Sequence, residues 1–130
     1  MLGFLDELNQ AFVTLELDNT PLDFQIDTGF NGTLIVGEEL FDPACGIPTG
    51  TMKAELADEH VTTYDTYDVV VKWLDEDAQV QILIGPGKLC LLGTDLLSPH
   101  RLEIDYGQQT VRLVKKRTGE SPARKCRFGS

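Results

Sequence analysis

The sequence predicts a mostly β fold, arranged as a small barrel or sandwich with one or two short helices. Apolar and polar residues alternate over short segments, and turn signals separate these segments about every 8–12 residues. No segment shows the long apolar stripe, with a period of about 3.6 residues, that a substantial helix requires. The chain has 130 residues, 42% of them hydrophobic, which suits one domain with a buried core.

In the N-terminal part, alternation predicts a strand over 11–17 and a second strand over 22–26, joined by a turn at 18–21. A short apolar run predicts a further strand over 33–36. One or two helical turns are predicted over 37–41, because the proline that follows would end them.

The middle of the chain predicts a long hairpin over 51–73, with its turn around 57–60. This stretch is rich in the β-branched and aromatic residues that strands favour. The acidic run at 75–77 is predicted as a solvated turn, followed by strands over 79–84 and 88–92.

The C-terminal part predicts a short helix over 94–97, with Thr94 as its N-cap. A final hairpin is predicted from 102–106 and 109–114, turning at a glycine.

Two parts of the chain have similar patterns. Residues 24–29 and 89–95 both run from an apolar strand into a turn that contains glycine, and a short apolar segment follows each. This repetition predicts two similar halves related by a pseudo-twofold axis.

Charge is distributed unevenly along the chain. Residues 1–114 hold five basic and twenty acidic residues, whereas residues 115–130 hold six basic and one acidic. A strongly acidic body repels phosphate backbones, which argues against nucleic acid as a partner. We expect one domain over 1–114 and a basic, disordered tail over 115–130, with recruitment of acidic partners by the tail as a weaker alternative.

Neither a leader nor a cofactor site is expected. Residues 1–8 lack a basic n-region, and no apolar run approaches the ~18 residues of a membrane span. An odd number of cysteines argues against a disulfide framework, so we expect a reduced, cytoplasmic protein that does not contact a membrane. His60 and His100 form no metal-ligand spacing with Cys45 and Cys90, so we expect no metal and no cofactor.

The most informative motif is Asp27-Thr28-Gly29, which follows an apolar strand. A carboxylate in such a place needs a compensating group. The Thr28 hydroxyl can fix the loop, and Gly29 allows a tight turn that brings its N–H close to the carboxylate. Taken alone, the motif also fits an ordinary turn.

Four segments together resemble the retropepsin-like aspartic proteases, in particular the small single-domain prokaryotic members of that clan. Residues 26–32 resemble the active-site loop, and residues 91–97 resemble the second-half signature of two apolar residues and a glycine. Residues 101–106 are similar to the strand that follows it, and residues 3–10 to the N-terminal segment. The resemblance spans almost all of the expected domain.

The resemblance implies a closed retropepsin-like barrel and a homodimer with one active-site loop per chain. Asp-Thr-Gly occurs once, so the catalytic pair would be Asp27 and its mate on a twofold axis. The two carboxyls would share a proton and activate a water molecule, which is the chemistry of an aspartic endopeptidase acting on peptides or proteins. Thr28 would hydrogen-bond across the interface, and Gly29 would shape the substrate-binding backbone.

The resemblance further implies a flap over the cleft. The candidate is the tip of the predicted long hairpin, at Ala57, Asp58 and Glu59, although this tip lacks the glycines of the viral members. Leu34 and Ile84 are interpreted either as apolar subsite residues or as core.

One alternative function is a catalytically silent homodimeric module that binds proteins or peptides with the same fold. The presence of Asp27, Thr28 and Gly29 together favours the enzyme, because a binding module does not need a carboxylate at a symmetry axis.

Overall fold

The fold is a single sheet of ten strands, with little helix. A computed structural model describes residues 1–55, 61–98 and 100–115. Their elements are β1 (Leu2–Leu5), β2 (Ala11–Leu17), β3 (Thr20–Ile26), β4 (Leu34–Gly37), a 3-10 helix (Pro43–Cys45), β5 (Ile47–Glu55), β6 (Val61–Trp73), β7 (Glu76–Gly85), β8 (Cys90–Leu92), α1 (Thr94–Leu97), β9 (Arg101–Asp105) and β10 (Thr110–Val114). Neighbouring strands follow the order β5-β6-β7-β4-β8-β3-β2-β1-β10-β9.

Six of these strands close into a barrel. Besides its neighbours in the sheet, β6 pairs with β2 through Glu16↔Lys72 and Leu17↔Val71. The circuit β6-β7-β4-β8-β3-β2 therefore has no open edge. The predicted mostly β class and the closed barrel that the resemblance implied are both confirmed.

The core fills the interior of this barrel. Every second residue of β2 points inward, so that Val13, Leu15 and Leu17 are buried while their neighbours remain accessible. The main buried cluster consists of Val13, Leu15, Leu17, Phe24, Leu34, Val36, Val69, Val71, Ile82, Cys90, Leu92, Leu97 and Leu113.

Left-handed residues make the hairpin turns. Asp18 and Asn19 have φ values of 49° and 68°, which suits the two-residue turn between β2 and β3. Leu74 and Asp75, at 50° and 69°, make the corresponding turn between β6 and β7. The predicted turn at 75–77 was thus displaced, because β7 already begins at Glu76 and pairs it with Trp73.

Two local predictions were wrong, and one strand was missed. The 37–41 segment forms turns rather than a helix, and the 3-10 helix lies later, where the Asp42 side chain accepts a hydrogen bond from the Ala44 N–H at 3.0 Å. The N-cap of α1 is Gly93 rather than Thr94. No strand was predicted at β1, whose four residues are too few to show an alternation.

The first strand and the last described strand pair with each other. β1 lies antiparallel to both β2 and β10, and β10 pairs in turn with β9. The Met1 amino group donates to the Leu113 carbonyl, and the Leu113 N–H donates to the Met1 carbonyl, both at 2.9 Å. Within the described residues, no helix is long and apolar enough to cross a membrane.

Candidate active site

The two segments with similar patterns lie side by side. β3 and β8 pair in parallel, with Gln25 opposite Leu91 and Ile26 opposite Leu92. The Asp27 N–H continues this ladder and donates to the Leu92 carbonyl at 2.9 Å. The loops that follow the two strands therefore emerge next to each other at one end of the barrel.

Asp27 begins the first of these loops. Its Oδ1 accepts a hydrogen bond from the Gly29 N–H at 2.9 Å, and its carbonyl accepts one from the Phe30 N–H at 3.1 Å. The Asp27 side chain is half-buried, whereas Thr28 and Gly29 are exposed. Among the described residues, no ion pair includes Asp27. Within the described part of the chain, the carboxylate thus has a backbone donor but no cation to compensate it.

The second loop fastens the first in place. The Thr94 N–H donates to the Phe30 carbonyl at 2.9 Å, and the Asp95 N–H donates to the Gly32 carbonyl at 3.1 Å. Gly93 is required for this approach, because a Cβ at that position would lie 2.3 Å from the Gly32 oxygen and 2.6 Å from the Phe30 ring. The backbone on both sides of Asp27 is therefore held by hydrogen bonds, at its N–H by β8 and further along the loop by α1.

The buried side chain of Phe30 anchors the Asp27 loop. Its side chain is only 3% exposed and packs in a second buried cluster with Ile35, Tyr64, Leu83 and Leu91. Sequence reasoning assigned no role to Phe30, although an aromatic residue directly after a polar motif is a signal for such an anchor.

A cavity of about 330 Å³ lies beside the loop. It is lined by Phe30, Asn31, Gly32, Met52, Lys53, Ala54, Leu83 and Asp95. Its apolar residues include Phe30 and Leu83, and its polar residues include Asn31, Lys53 and Asp95. The cavity is large enough for one amino-acid side chain, and β5 forms one of its walls. Sequence reasoning did not find it, because its residues are distant in sequence.

Thr28 faces a second, more open cavity of about 620 Å³. His100, Arg101 and Leu102, at the start of β9, line this cavity together with Thr28 and α1. The two cavities share no lining residue.

His100 contacts the single tryptophan of the chain. The Trp73 indole N–H donates to Nε2 of His100 at 3.4 Å, while Nδ1 is buried and has no hydrogen-bond partner within the described residues. Burial, and secondarily the Lys115 charge, hold the pKa of His100 below its usual 6.5.

Neither of the two predicted apolar positions, Leu34 and Ile84, lines the cavities beside the loop. Leu34 is fully buried in the barrel core, so the interpretation of Leu34 as a subsite residue was wrong. Ile84 is half-buried and packs against the same core. The flap candidates Ala57, Asp58 and Glu59 lie outside the described residues.

Comparisons with known proteins point to one fold. No protein-family model matches the chain, and no curated protein sequence matches it. A retropepsin-like aspartic protease from Rickettsia conorii is similar in structure, with a TM-score of 0.60 and 17% identity over 88% of each chain. EIAV protease, in complex with the inhibitor HBY-793, has a TM-score of 0.60 and 16% identity over 71% of this chain and 88% of its own. At such identities the likeness concerns the architecture, and the chain has the retropepsin-like fold.

Proposed function

We propose that this chain is an aspartic endopeptidase that acts as a homodimer, with residues 1–114 as its catalytic domain and residues 115–130 as a basic tail. One observation carries the proposal. A half-buried carboxylate, Asp27, stands at the end of a barrel strand, in a loop held by hydrogen bonds in a retropepsin-like fold, and none of the ion pairs among residues 1–55, 61–98 and 100–115 includes it. A proton shared with a second Asp27 would supply the missing compensation.

The chemistry follows from two such carboxyls close together. They cannot both ionise easily, so the pair holds one proton over a range of pH. The ionised Asp27 takes a proton from a water molecule, which attacks the peptide carbonyl, while the protonated Asp27 of the other copy donates a hydrogen bond to the carbonyl oxygen. The protonated Asp27 then gives its proton to that oxygen, which makes a gem-diol. The gem-diol collapses as the first Asp27 passes the proton taken from water to the leaving nitrogen, the C–N bond breaks, and one diol hydroxyl returns its proton to the second Asp27.

The neighbouring groups have supporting roles in this scheme. The Gly29 N–H, 2.9 Å from Oδ1, would hold the Asp27 carboxyl in a fixed orientation for its partner. Thr28 is exposed beside it and is available to hydrogen-bond across the interface. The cavity of about 330 Å³ next to Phe30 would receive one substrate side chain, with apolar contacts at Phe30 and Leu83 and polar contacts at Lys53 or Asp95.

The test is Asp27→Asn, which keeps the size of the side chain but removes its acid–base chemistry. We expect cleavage of a peptide library to fall at least ~100-fold, the usual contribution of general acid–base catalysis. Binding of a pepstatin-class inhibitor should be lost as well. Asp23→Asn is the matched control, because Asp23 lies on the same strand and its carboxylate accepts a hydrogen bond from Thr14 at the exposed surface.

Each outcome decides between functions. Cleavage that survives Asp27→Asn would show that Asp27 is not the catalytic group. A wild-type protein that binds peptides as a dimer but never cleaves them would support the silent binding module instead.

A further inference from the structure

A groove lies on the outer surface of the sheet, where β5, β6 and β7 meet the 3-10 helix. Its volume is about 230 Å³, and Cys45, Ile47, Asp68, Val70 and Gln79 are among the residues that line it. Ile47 is 64% exposed and Val70 is 48% exposed, and these two side chains form the apolar patch of the groove. An apolar side chain that covered this patch would remove it from water, which is favourable.

Three carboxylates form an acidic rim at this groove. Asp68 lines it directly. Asp18 lies beside it, because the Asp18 N–H donates to the Val70 carbonyl at 3.0 Å, and Asp42 is adjacent, since its carbonyl accepts from the Cys45 N–H at 2.9 Å. Within the described part of the chain, no ion pair includes any of these three carboxylates. The groove therefore favours an occupant that is both apolar and positively charged.

The Cys45 thiol responds to the same carboxylates. A hydrogen bond with Asp18, followed by desolvation and by the charges of Asp18 and Asp42, raises the pKa of Cys45 above its usual range. Positive charges brought to the groove would oppose these effects and favour the thiolate.

The tail of this chain has the complementary composition. Residues 116–130, which lie outside the described part, hold five basic residues and one acidic residue. Within them, the segment Arg124-Lys125-Cys126-Arg127-Phe128 combines three cations with one aromatic side chain. Its cations match the acidic rim, and its phenylalanine matches the apolar patch.

The tail begins near the groove. Lys115, the last described residue, forms an ion pair with Glu76, the first residue of β7. Gln79, which lines the groove, is three residues farther along the same strand, or about 10 Å at ~3.3 Å per residue. The chain from Lys115 to Cys126 can span up to about 36 Å, so residues 124–128 reach the groove within one molecule.

We propose that residues 124–128 dock in this groove of their own chain. Phe128 covers the apolar patch, the three basic side chains lie against the acidic rim, and Cys126 comes close to Cys45. A separate acidic partner is a weaker candidate for the tail, because a tethered segment has an effective concentration of about millimolar at its own groove. The inference does not depend on the proposed protease activity.

The docked form is expected to be in equilibrium with an undocked form. Exposed charges attract each other weakly at physiological salt, so docking contributes little to the melting temperature. A measurement that accumulates the docked form is therefore the suitable test.

The cysteines of the full-length chain provide that measurement. Oxidised glutathione should link Cys45 to Cys126: the two thiols lose two protons and two electrons, and the glutathione disulfide is reduced to two thiols. Cys90 is only 8% exposed and is a poor competitor. Peptide mapping without reduction identifies the bond, and migration as a monomer on a denaturing gel shows that it lies within one chain.

The matched control is Glu16→Cys in a Cys45→Ser background. Glu16 is exposed and lines the same cavity as Lys115, so a thiol there is also within reach of the tail, but outside the groove. We expect this thiol to link to Cys126 about tenfold more slowly than Cys45 does. The comparison is strict, because the raised pKa of Cys45 would by itself slow its reaction.

Two tail variants with the same charge change test the assignment of the segment. Arg127→Glu should slow formation of the Cys45 link about three- to fivefold, and Arg117→Glu, outside the segment, should have little effect. Phe128→Ser should slow it even at high salt, where the charge attraction is screened.

Each contrary result would overturn the docking. Equal rates for Cys45 and the control thiol would show that the tail reaches both places without preference. Equal effects of Arg127→Glu and Arg117→Glu would show unspecific attraction by the acidic body. A disulfide formed mainly between two molecules would place the tail on a second copy instead.

Discussion

The two loops at Asp27 lie in close contact at Gly93. We therefore expect one added methyl group at this position to reduce the stability of the fold strongly. In Gly93→Ala the added Cβ would lie 2.3 Å from the Gly32 oxygen, 2.7 Å from the Phe30 oxygen and 2.6 Å from the Phe30 ring. Two of these atoms belong to the backbone, so no side-chain rotation relieves the clash. The loops have to separate by about an ångström.

The loss of stability can be estimated from the bonds that this separation breaks. Three backbone hydrogen bonds join the loops: from Gly93 N–H to Thr33 at 2.8 Å, from Thr94 N–H to Phe30 at 2.9 Å, and from Asp95 N–H to Gly32 at 3.1 Å. At about 1 kcal/mol each, their loss destabilises the fold by about 3 kcal/mol. For a domain of this size the melting temperature would fall by roughly 10 °C.

Urea denaturation of wild-type and variant protein measures this difference directly. Gly29→Ala is the matched control, because its Cβ would meet only the Asp27 Oδ1 at 3.3 Å, on a side chain that can move. We expect Gly29→Ala to lose less than ~1 kcal/mol of stability while reducing peptide cleavage. A Gly93→Ala variant as stable as Gly29→Ala would refute the proposed fastening of the two loops.

Three further predictions concern the cavity beside the Asp27 loop, the pH dependence of stability and the C-terminal tail. Ala54→Phe, which fills the cavity beside the loop, should raise KM for peptides with bulky side chains more than for glycine-rich ones; equal effects would argue against a subsite. Burial holds the pKa of His100 below 6.5, so the unfolded chain binds the extra proton first, and the free energy of unfolding should be highest above pH 6.5 and decline below it. The fluorescence of Trp73, which contacts His100, should change over the same acidic range. This change should be absent in His100→Phe and present in His60→Gln. Deletion of 116–130 should leave the melting temperature unchanged, and a large decrease would place part of the fold in the tail.

Local patterns predicted much of this fold. The long alternation over 51–73 predicted the hairpin that β5 and β6 form, and the turn residues Asp18 and Asn19 marked the junction of β2 and β3. The Asp27 loop was placed correctly at the end of β3, because a polar motif after an apolar strand is a local signal.

Features that depend on distant partners left no such signal. The closure of the barrel through Leu17 and Val71 joins residues far apart in sequence, and β1 exists as a strand only through β2 and β10. Leu34 shows the limit most clearly: an apolar strand residue has the same pattern whether it lines a cleft or, as here, fills the core.

The length of β6 has a mechanical consequence. Its residues 61–64 pair with β5 alone, residues 65–68 pair with strands on both sides, and residues 69–73 belong to the barrel wall. The β5–β6 hairpin and the barrel therefore share one continuous strand, β6. A sideways movement of the end of this hairpin would have to bend it near the register shift between Pro48 and Gly50, where Gly50 has a φ of 114°. Bending of the β5–β6 hairpin there would then strain the barrel itself.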